Sequence, residues 1–268
     1  MIAVNKTDYE KMEFCVGKAP AMENSKIISE SNNNMIFCEE GVVLKDSTIT
    51  FVGDGNLVYL SSNHHYYSLN LRIYKNSCFF MDENNYMNGQ LSVLVQEHQN
   101  VLIGKDGAFS YGIHIMTSDA HLIYSIDTMC RINESNSICI GDHVWVGQYA
   151  SIFKGTVIGS GSIIGGTSTI TGKRCPSNTI WVGNPAKQIK ENVFWDKSCP
   201  NLYELSETKA VAFYHKEPLF FYYDERRILD FNSIDKRLIA CEDNIIKRVD
   251  IIDSVRGETG KNRFFISS

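Results

Sequence analysis

A six-residue period constrains this sequence more than any other feature. From Ile140 to Thr169 the chain reads IGDHVW VGQYAS IFKGTV IGSGSI IGGTST, and each block opens on an aliphatic residue. Apolar positions recur every three or four residues in a helix and every second residue in a plain strand, so neither has this period. Short strands joined by tight bends do, when each strand sends one aliphatic side chain into a shared core. The aliphatic positions are Ile140, Val146, Ile152, Ile158, Ile164 and Ile170.

Small residues stand four places after each aliphatic one, which indicates a narrow interior. They are Val144, Ala150, Thr156, Ser162 and Ser168. Short fixed periods of this kind are typical of parallel β-solenoids, in which each rung buries its face only against its neighbours. The six-residue step also extends backward to Ile103, Phe109 and Ile115.

The rest of the chain is less regular. Upstream of the hexads, short apolar runs are separated by Asn, Gly, Ser and Asp, which indicates degenerate coils. We predict an N-terminal lead-in at 1–26, a solenoid at 27–189 and a C-terminal extension at 190–268. Within the extension, residues 234–249, IDKRLIACEDNIIKRV, are expected to form one amphipathic helix. The predicted fold class is therefore all-β with a partly helical extension.

Composition narrows the class of protein. A net charge of −5 argues against a general binder of nucleic acid or of acidic membranes. Eight cysteines occur without a CxxC pair, which favours reduced thiols in the cytoplasm over a zinc ribbon or a disulfide framework. The N-terminus does not read as a signal peptide, and no apolar run is long enough to span a bilayer.

The period breaks once inside the solenoid. Ile115 and Ile140 are 25 residues apart, one more than four hexads. The polar segment at 116–137, MTSDAHLIYSIDTMCRINESNS, therefore reads as a loop that leaves the coil, and long loops in compact domains are usually functional or disordered. His121 stands near its start, whereas His143 lies inside a hexad and is expected to face outward.

Four segments carry a resemblance to a known family: TSDAHLIYS, RIN, IGDHVWVGQ and GNPAKQIKENVFW. Over about Ile103 to Trp195 the chain resembles the left-handed β-helix acetyltransferases that modify bacterial surface sugars. These include capsular polysaccharide and sialic-acid O-acetyltransferases. The resemblance implies a left-handed parallel β-helix, transfer of acetyl from acetyl-CoA to a glycan hydroxyl, and a homotrimer with its sites between subunits.

The resemblance also implies the catalytic residues. An alcohol needs a base to become a nucleophile, and histidine titrates near working pH, so His121 is expected to take the sugar hydroxyl proton without a covalent enzyme intermediate. Asp119 is a candidate partner for its other ring nitrogen. Trp145 is expected to pack beside the histidine, and the backbone N–H of Gln148 to stabilise the oxyanion.

The donor is expected to be acetyl-CoA, with no metal. Its pantetheine arm is expected to lie along small residues at stacked coils, and its phosphates to meet cations near the end of the solenoid. The predicted contacts are Gly147, Gly165, Gly166, Thr167 and Ser168 for the arm, and Lys173, Arg174, Lys187 and Lys190 for the phosphates.

Other functions use the same fold. A sugar-nucleotide or xenobiotic N-acetyltransferase could employ the same histidine, and acceptor profiling would separate it. A γ-class carbonic anhydrase needs three converging histidines, which the regular coils lack. A structural or ice-binding solenoid would carry a recurring threonine ladder, and the single TSTIT at 167–171 does not recur.

Overall fold

Three β-sheets, parallel except for the first pair of strands in the first sheet and the last pair in the third, wrap around a common core in the computed structural model, which describes residues 1–216 and 221–267. Residues 217–220 and 268 of the predicted extension lie outside the described residues. The first sheet has eight strands: β1 (Ile2–Ala3), β4 (Lys26–Ser29), β7 (Thr48–Val52), β9 (Leu69–Tyr74), β12 (Leu91–Val95), β15 (His114–Met116), β18 (Ser151–Phe153) and β21 (Thr169–Thr171).

The second sheet also has eight strands: β2 (Cys15–Gly17), β5 (Met35–Cys38), β8 (Leu57–Leu60), β10 (Cys78–Met81), β13 (Asn100–Ile103), β16 (Ile138–Ile140), β19 (Val157–Ile158) and β22 (Arg174–Cys175). The third sheet has six: β11 (Tyr86–Met87), β14 (Ala108–Phe109), β17 (Trp145–Val146), β20 (Ile163–Ile164), β23 (Ile180–Gly183) and β24 (Ala186–Lys190). In the early coils the pair β3 (Ala21–Glu23) and β6 (Val43–Lys45) takes the third sheet's place in the chain order.

Each coil runs from the second sheet to the third and then to the first, for about seven turns. The aliphatic residues of the hexads stack directly on one another: Ile140 pairs with Ile158, and Ile152 with Ile170. All six aliphatic positions and all five small positions are buried. The prediction of a left-handed parallel β-helix is therefore confirmed, because one apolar ladder per sheet fills a narrow triangular core.

The early coils follow a longer repeat that the sequence analysis missed. In the first sheet, partners from Ile27 through Ile49 and Leu71 are spaced by 22 residues, against 18 in the hexad region. The extra residues form wider corners, one of which is held by stacked asparagines: Asn56 Nδ2 donates to Asn34 Oδ1 at 3.0 Å. Longer corners hide the hexad while the stacking of the coils stays the same.

Residues 1–26 do more than lead into the solenoid. They contain helix α1 (Lys6–Lys11) and strands β2 and β3, which pair in parallel with the following coil. The first sheet thus includes Ile2–Ala3, and the parallel coils begin at Cys15, well before position 27. Strands of three residues without a hexad pattern leave too little periodicity to be recognised in the sequence.

The C-terminal extension folds onto the outer face of the second sheet. It contains 3₁₀ turns at Pro200–Leu202 and Glu225–Arg227 and the helices α2 (Leu205–Ala210), α3 (Phe231–Ala240) and α4 (Ile245–Arg256). Phe231, Leu238 and Ile252 of this segment pack with Tyr59 and Phe80 of the sheet in a second apolar cluster. An outer sheet face that carries aromatic side chains is thereby removed from water.

The single helix predicted at 234–249 is two helices. The chain breaks after Ala240, Glu242 adopts a positive φ of 48°, and Asn244 starts the second helix by accepting a hydrogen bond from Lys247 N. In one continuous helix the Lys247 N–H would bond to a backbone carbonyl, but at the start of a new helix it needs a side-chain acceptor, which Asn244 supplies. The sequence signal for the break therefore lies at Asn244. Among the described residues, no helix has the length and apolarity needed to cross a membrane.

Candidate active site

The chain leaves the solenoid at residues 117–137, between β15 and β16, and forms a small hairpin. Tyr124 and Arg131 face each other in an antiparallel bridge. Asn133 is buried beneath them: its Nδ2 donates to the His121 carbonyl at 2.7 Å, and its Oδ1 accepts from Ile123 N at 2.9 Å. One amide side chain therefore fixes the backbone directly after the candidate base, at the His121 carbonyl and the Ile123 N–H.

Glu97, from the preceding coil, holds the base of the hairpin. Its carboxylate accepts from Arg131 Nη2 at 2.8 Å and from Ser135 Oγ at 2.8 Å. Burial raises the pKa of Glu97, but the hydrogen bonds from Ser135 and Arg131 outweigh that effect and bring the pKa below its usual value. The carboxylate is therefore charged at neutral pH and ties the loop to the solenoid.

His121 is exposed on this hairpin and follows Ala120, whose φ of 66° makes a tight turn. The Asp119 carboxylate turns away from the ring: it accepts from Lys154 Nζ at 2.5 Å and from Asn133 Nδ2 at 3.1 Å. The hydrogen bond from Lys154 keeps the pKa of Asp119 below its usual value. Within residues 1–216 and 221–267 no contact joins Asp119 to the His121 ring, so the expected orienting bond is replaced by an anchor for the loop backbone.

Trp145 lies in β17 of the third sheet and is 42% exposed. Trp195 packs beside it, with ring centroids 6.0 Å apart. Under Trp195 lies His143, stacked at 4.1 Å with the planes 4° apart. The candidate tryptophan thus rests against a second indole, which the sequence analysis did not single out.

The expectation that His143 faces outward is wrong. The residue is 3% exposed, and its φ of 53° turns it against Trp195. Trp195 Nε1 donates to the His143 carbonyl at 2.8 Å, and His143 Nε2 lies 2.9 Å from the Trp195 carbonyl, so Nε2 carries the hydrogen. Burial lowers the pKa of His143, which keeps the ring neutral at pH 7.

His121 and Trp145 lie apart in one chain. The hairpin projects from the edge between the first and second sheets, whereas Trp145 lies on the third sheet. In a triangular prism, the edge between the first and second sheets lies opposite the face that the third sheet forms. No contact among the described residues joins the two side chains, so a single copy does not assemble the predicted catalytic pair.

The small residues predicted for the pantetheine arm lie where β17 and β20 turn toward the first sheet. A Cβ on Gly147 would come within 2.5 Å of Gly166 N, so glycine is required there for the coils to stack. Thr167 is exposed, but Ser168 is wholly buried and its Oγ accepts from Gly183 N at 3.0 Å. The Ser168 hydroxyl therefore supports the corner and is not part of the surface.

Gln148 lies at this same corner. The Gln148 carbonyl accepts a hydrogen bond from Thr167 N at 2.8 Å, which fixes the turn against the next coil. The Gln148 backbone N–H has no acceptor in the part of the chain that the structure describes. A fixed, unused donor of this kind is what an oxyanion requires.

The predicted phosphate contacts share one end of the solenoid but divide between two sheets. Lys173 and Arg174 are exposed at the start of β22 in the second sheet, and Lys187 and Lys190 are exposed on β24 in the third. Neither pair has its charge taken by an acidic side chain among the described residues. Among residues 1–216 and 221–267, no group of three or more His, Cys, Asp or Glu side chains could hold a metal ion.

Comparison with known proteins places the chain in a family. No family model matches it. A polysialic acid O-acetyltransferase of Neisseria meningitidis is 28% identical over 186 residues, which is 62% of this chain and 86% of that protein. A polysialic acid O-acetyltransferase of Escherichia coli O1:K1 / APEC is 37% identical over 122 residues, 46% of this chain and 39% of that protein.

Solved structures extend the comparison. The polySia specific acetyltransferase NeuO is 31% identical, with a TM-score of 0.53, over 72% of this chain and 86% of that one. The polysialic acid O-acetyltransferase OatWY shares the fold at 22% identity, with a TM-score of 0.55, over 71% of this chain and 96% of that one. The chain is therefore an acyltransferase and belongs to the left-handed β-helix acetyltransferases that include the polysialic acid O-acetyltransferases.

Proposed function

We propose that the protein transfers an acetyl group from acetyl-CoA to a hydroxyl of a bacterial surface sugar, either sialic acid or another capsular or lipopolysaccharide glycan. The observation that carries the proposal is His121, exposed on a hairpin whose backbone Asn133 anchors at the His121 carbonyl and at Ile123 N. The named activities of the relatives support a sialylated acceptor. All eight cysteines are free thiols, which suits a cytoplasmic enzyme.

The chemistry is a direct transfer. His121 accepts the proton of the acceptor hydroxyl as its oxygen attacks the thioester carbonyl. The carbonyl oxygen becomes negative and accepts a hydrogen bond from Gln148 N–H. The C–S bond then breaks, the ester is released, and the proton on His121 passes to the CoA thiolate. Asp119 and Asn133 keep the histidine in place through its backbone.

We place the complete site between copies of a homotrimer. The hairpin tip carries exposed apolar residues, among them Ile126 at 90% and Met129 at 78% exposure. Trp145 on the third sheet and Tyr111 and Tyr149 at its corner toward the first sheet form an exposed aromatic surface. When the hairpin tip of one copy covers the aromatic surface of the next, apolar surface is removed from water and His121 of the first copy comes close to Trp145 of the second. Closed threefold symmetry repeats the same contact three times.

The donor fits the same arrangement. The pantetheine arm would lie along Gly165, Gly166 and Thr167 beside Trp145, where side chains are small. Its nucleotide phosphates would meet Lys187 and Lys190 of that copy and Lys173 and Arg174 of its neighbour. In one chain the two pairs of cations lie on different sheets and stay apart. In the trimer, a pair from each of two copies can surround one nucleotide.

Acceptor profiling tests the proposed function. Release of CoA from acetyl-CoA is measured with sialic acid, sialic acid oligomers, neutral glycans and amino sugars, and the product linkage is read by mass spectrometry and base lability. We expect O-acetyl esters on the sialylated acceptors. Turnover only with amines would replace the proposal with an N-acetyltransferase, and the lack of turnover with every acceptor would favour a structural solenoid.

Mixed trimers test the site between copies. His121→Ala and Trp145→Ala chains are each expected to be slow, but every mixed trimer holds one site with both native residues. Random assembly of an equal mixture should therefore recover about a quarter of the native rate. The control mixes His121→Ala with the double variant, which can form no intact site. A mixture no faster than this control would place both residues' function within one chain.

A further inference from the structure

A cavity of about 260 Å³ lies at the edge between the second and third sheets. It is closed on one side by the corners that lead into β14 and β17, and on the other by the C-terminal segment. Its volume is slightly below the range typical of drug-sized ligands, which suits one sugar residue. The walls are formed by Lys105, Asp106, Asp142, His143, Lys197, Lys261 and Asn262.

Three lysines and two aspartates line the cavity, so its lining carries one more positive charge than negative charges. Behind the wall, Arg263 donates to Asp142 from Nε at 2.9 Å and from Nη2 at 2.8 Å, and it also pairs with the buried Asp82. Lys197 lies 3.8 Å from Asp106, and Lys105 lies 4.0 Å from Glu83, which also pairs with an arginine.

Lys261 is exposed and forms no ion pair with any described residue. Three lysines therefore line the cavity together with two carboxylates, those of Asp106 and Asp142, and Asp142 is already bonded to Arg263. An anion that enters the cavity replaces water around these ammonium groups with a charge-assisted contact.

The position of the cavity relates it to the acceptor. His143 forms part of its wall, stacks on Trp195 at 4.1 Å, and Trp195 lies 6.0 Å from Trp145. The Trp195 ring alone thus separates the cavity wall at His143 from Trp145, which is the residue expected at the reacting centre. The corner that includes Gly165 and Thr167, proposed for the CoA arm, lies on the other side of the third sheet.

We propose that this cavity is an acceptor subsite that binds the carboxylate of an acidic sugar, with Lys105, Lys197 and Lys261 as its ligands. The proposal rests on the proposed function. The carboxylate would be held at the edge of the third sheet while the hydroxyl to be acetylated reaches past Trp195 to Trp145. His143 and Trp195 would form the apolar wall between the two.

A second cavity extends the subsite. An open depression of about 660 Å³ shares Lys261 and is also lined by Tyr222, Tyr223, Asp224, Glu225 and Arg226. Arg226 is paired with Asp224 at 3.2 Å, so the exposed Tyr222 ring offers stacking to a sugar ring and Lys261 offers charge to its carboxylate. Because Lys261 borders both cavities, the pair suits several linked acidic sugars better than a free monomer.

The test uses a double variant, Lys197→Gln with Lys261→Gln, in the full chain. Both lysines are exposed, so the fold should be retained, which circular dichroism checks. The control, Lys6→Gln with Lys18→Gln, removes the same charge at the opposite end of the solenoid. The readouts are KM for a sialic acid oligomer, KM for acetyl-CoA, and direct calorimetric binding of the oligomer without donor.

We expect KM and the dissociation constant for the oligomer to rise about tenfold or more in the double variant, while KM for acetyl-CoA and both values in the control stay within about twofold. A rise in KM for acetyl-CoA alone would assign the cavity to the donor's phosphates and overturn the proposal. Unchanged acceptor affinity with normal native turnover would also overturn it and leave the proposed function standing. A third outcome separates the two proposals: the native chain binds the oligomer but does not turn it over, and the double variant does not bind it. That outcome would support the subsite and contradict the proposed function.

Discussion

His121→Ala should lower the rate of acetyl transfer by about 10²–10⁴-fold, the range expected when a positioned general base is removed. The alcohol then has no group to take its proton as the thioester is attacked. The side chain is exposed and its anchor is the backbone carbonyl bonded by Asn133, so the hairpin should keep its conformation. The measurements are kcat with a sialylated acceptor and CoA affinity by calorimetry, and only kcat should change.

His64→Ala is the matched control, because His64 is an exposed histidine at a corner of an early coil, far from the hairpin in sequence and in coil number. It should retain the native rate. Equal turnover by His121→Ala and the native chain would remove His121 from the mechanism. A loss confined to CoA affinity would make the residue part of the donor site and not the base.

Arg263→Ala should lower the free energy of unfolding by about 3–5 kcal/mol, because it leaves the buried Asp142 carboxylate without its cation and leaves Asp82 with Arg256 alone. The guanidinium is 1% exposed; Nη2 lies 2.6 Å from Asp82 Oδ2 and 2.8 Å from Asp142 Oδ1. Nη1 also donates to the Val255 carbonyl at 3.1 Å within the extension, whereas the contacts to Asp82 and Asp142 join the extension to the solenoid. Urea unfolding followed by circular dichroism measures the change.

Two variants separate the charge effect from packing. Arg226→Ala removes an arginine that is 89% exposed and should leave the free energy of unfolding close to the native value, because exposed ion pairs are screened by water. Arg263→Met combined with Asp82→Asn and Asp142→Asn removes the buried charges together and should recover part of the loss. Similar stability of Arg263→Ala and the native chain would show that the C-terminal segment does not share the solenoid's folding unit.

The hexads were enough to predict the solenoid because they are a local pattern with a local cause. One inward aliphatic residue per strand and one small residue per corner repeat as often as the coil does, and the ladder from Ile140 to Ile170 is buried as expected. The lost phase between Ile115 and Ile140 likewise marks the hairpin that carries His121. The 22-residue coils were missed because longer corners shift the strands out of the six-residue frame.

The sequence by itself determined the architecture and supplied the candidate residues for the proposed acyl transfer. Only the tertiary structure decided which of them meet. His143 lies against Trp195, which is 52 residues away in the chain, and Asp142 lies against Arg263, which is 121 away. The separation of His121 and Trp145 onto an edge and the face opposite also depends on how the coil closes. The six-residue period follows from contacts between adjacent coils. The contacts of His143 with Trp195 and of Asp142 with Arg263 depend on how the C-terminal extension folds back onto the solenoid, and no local sequence pattern specifies that.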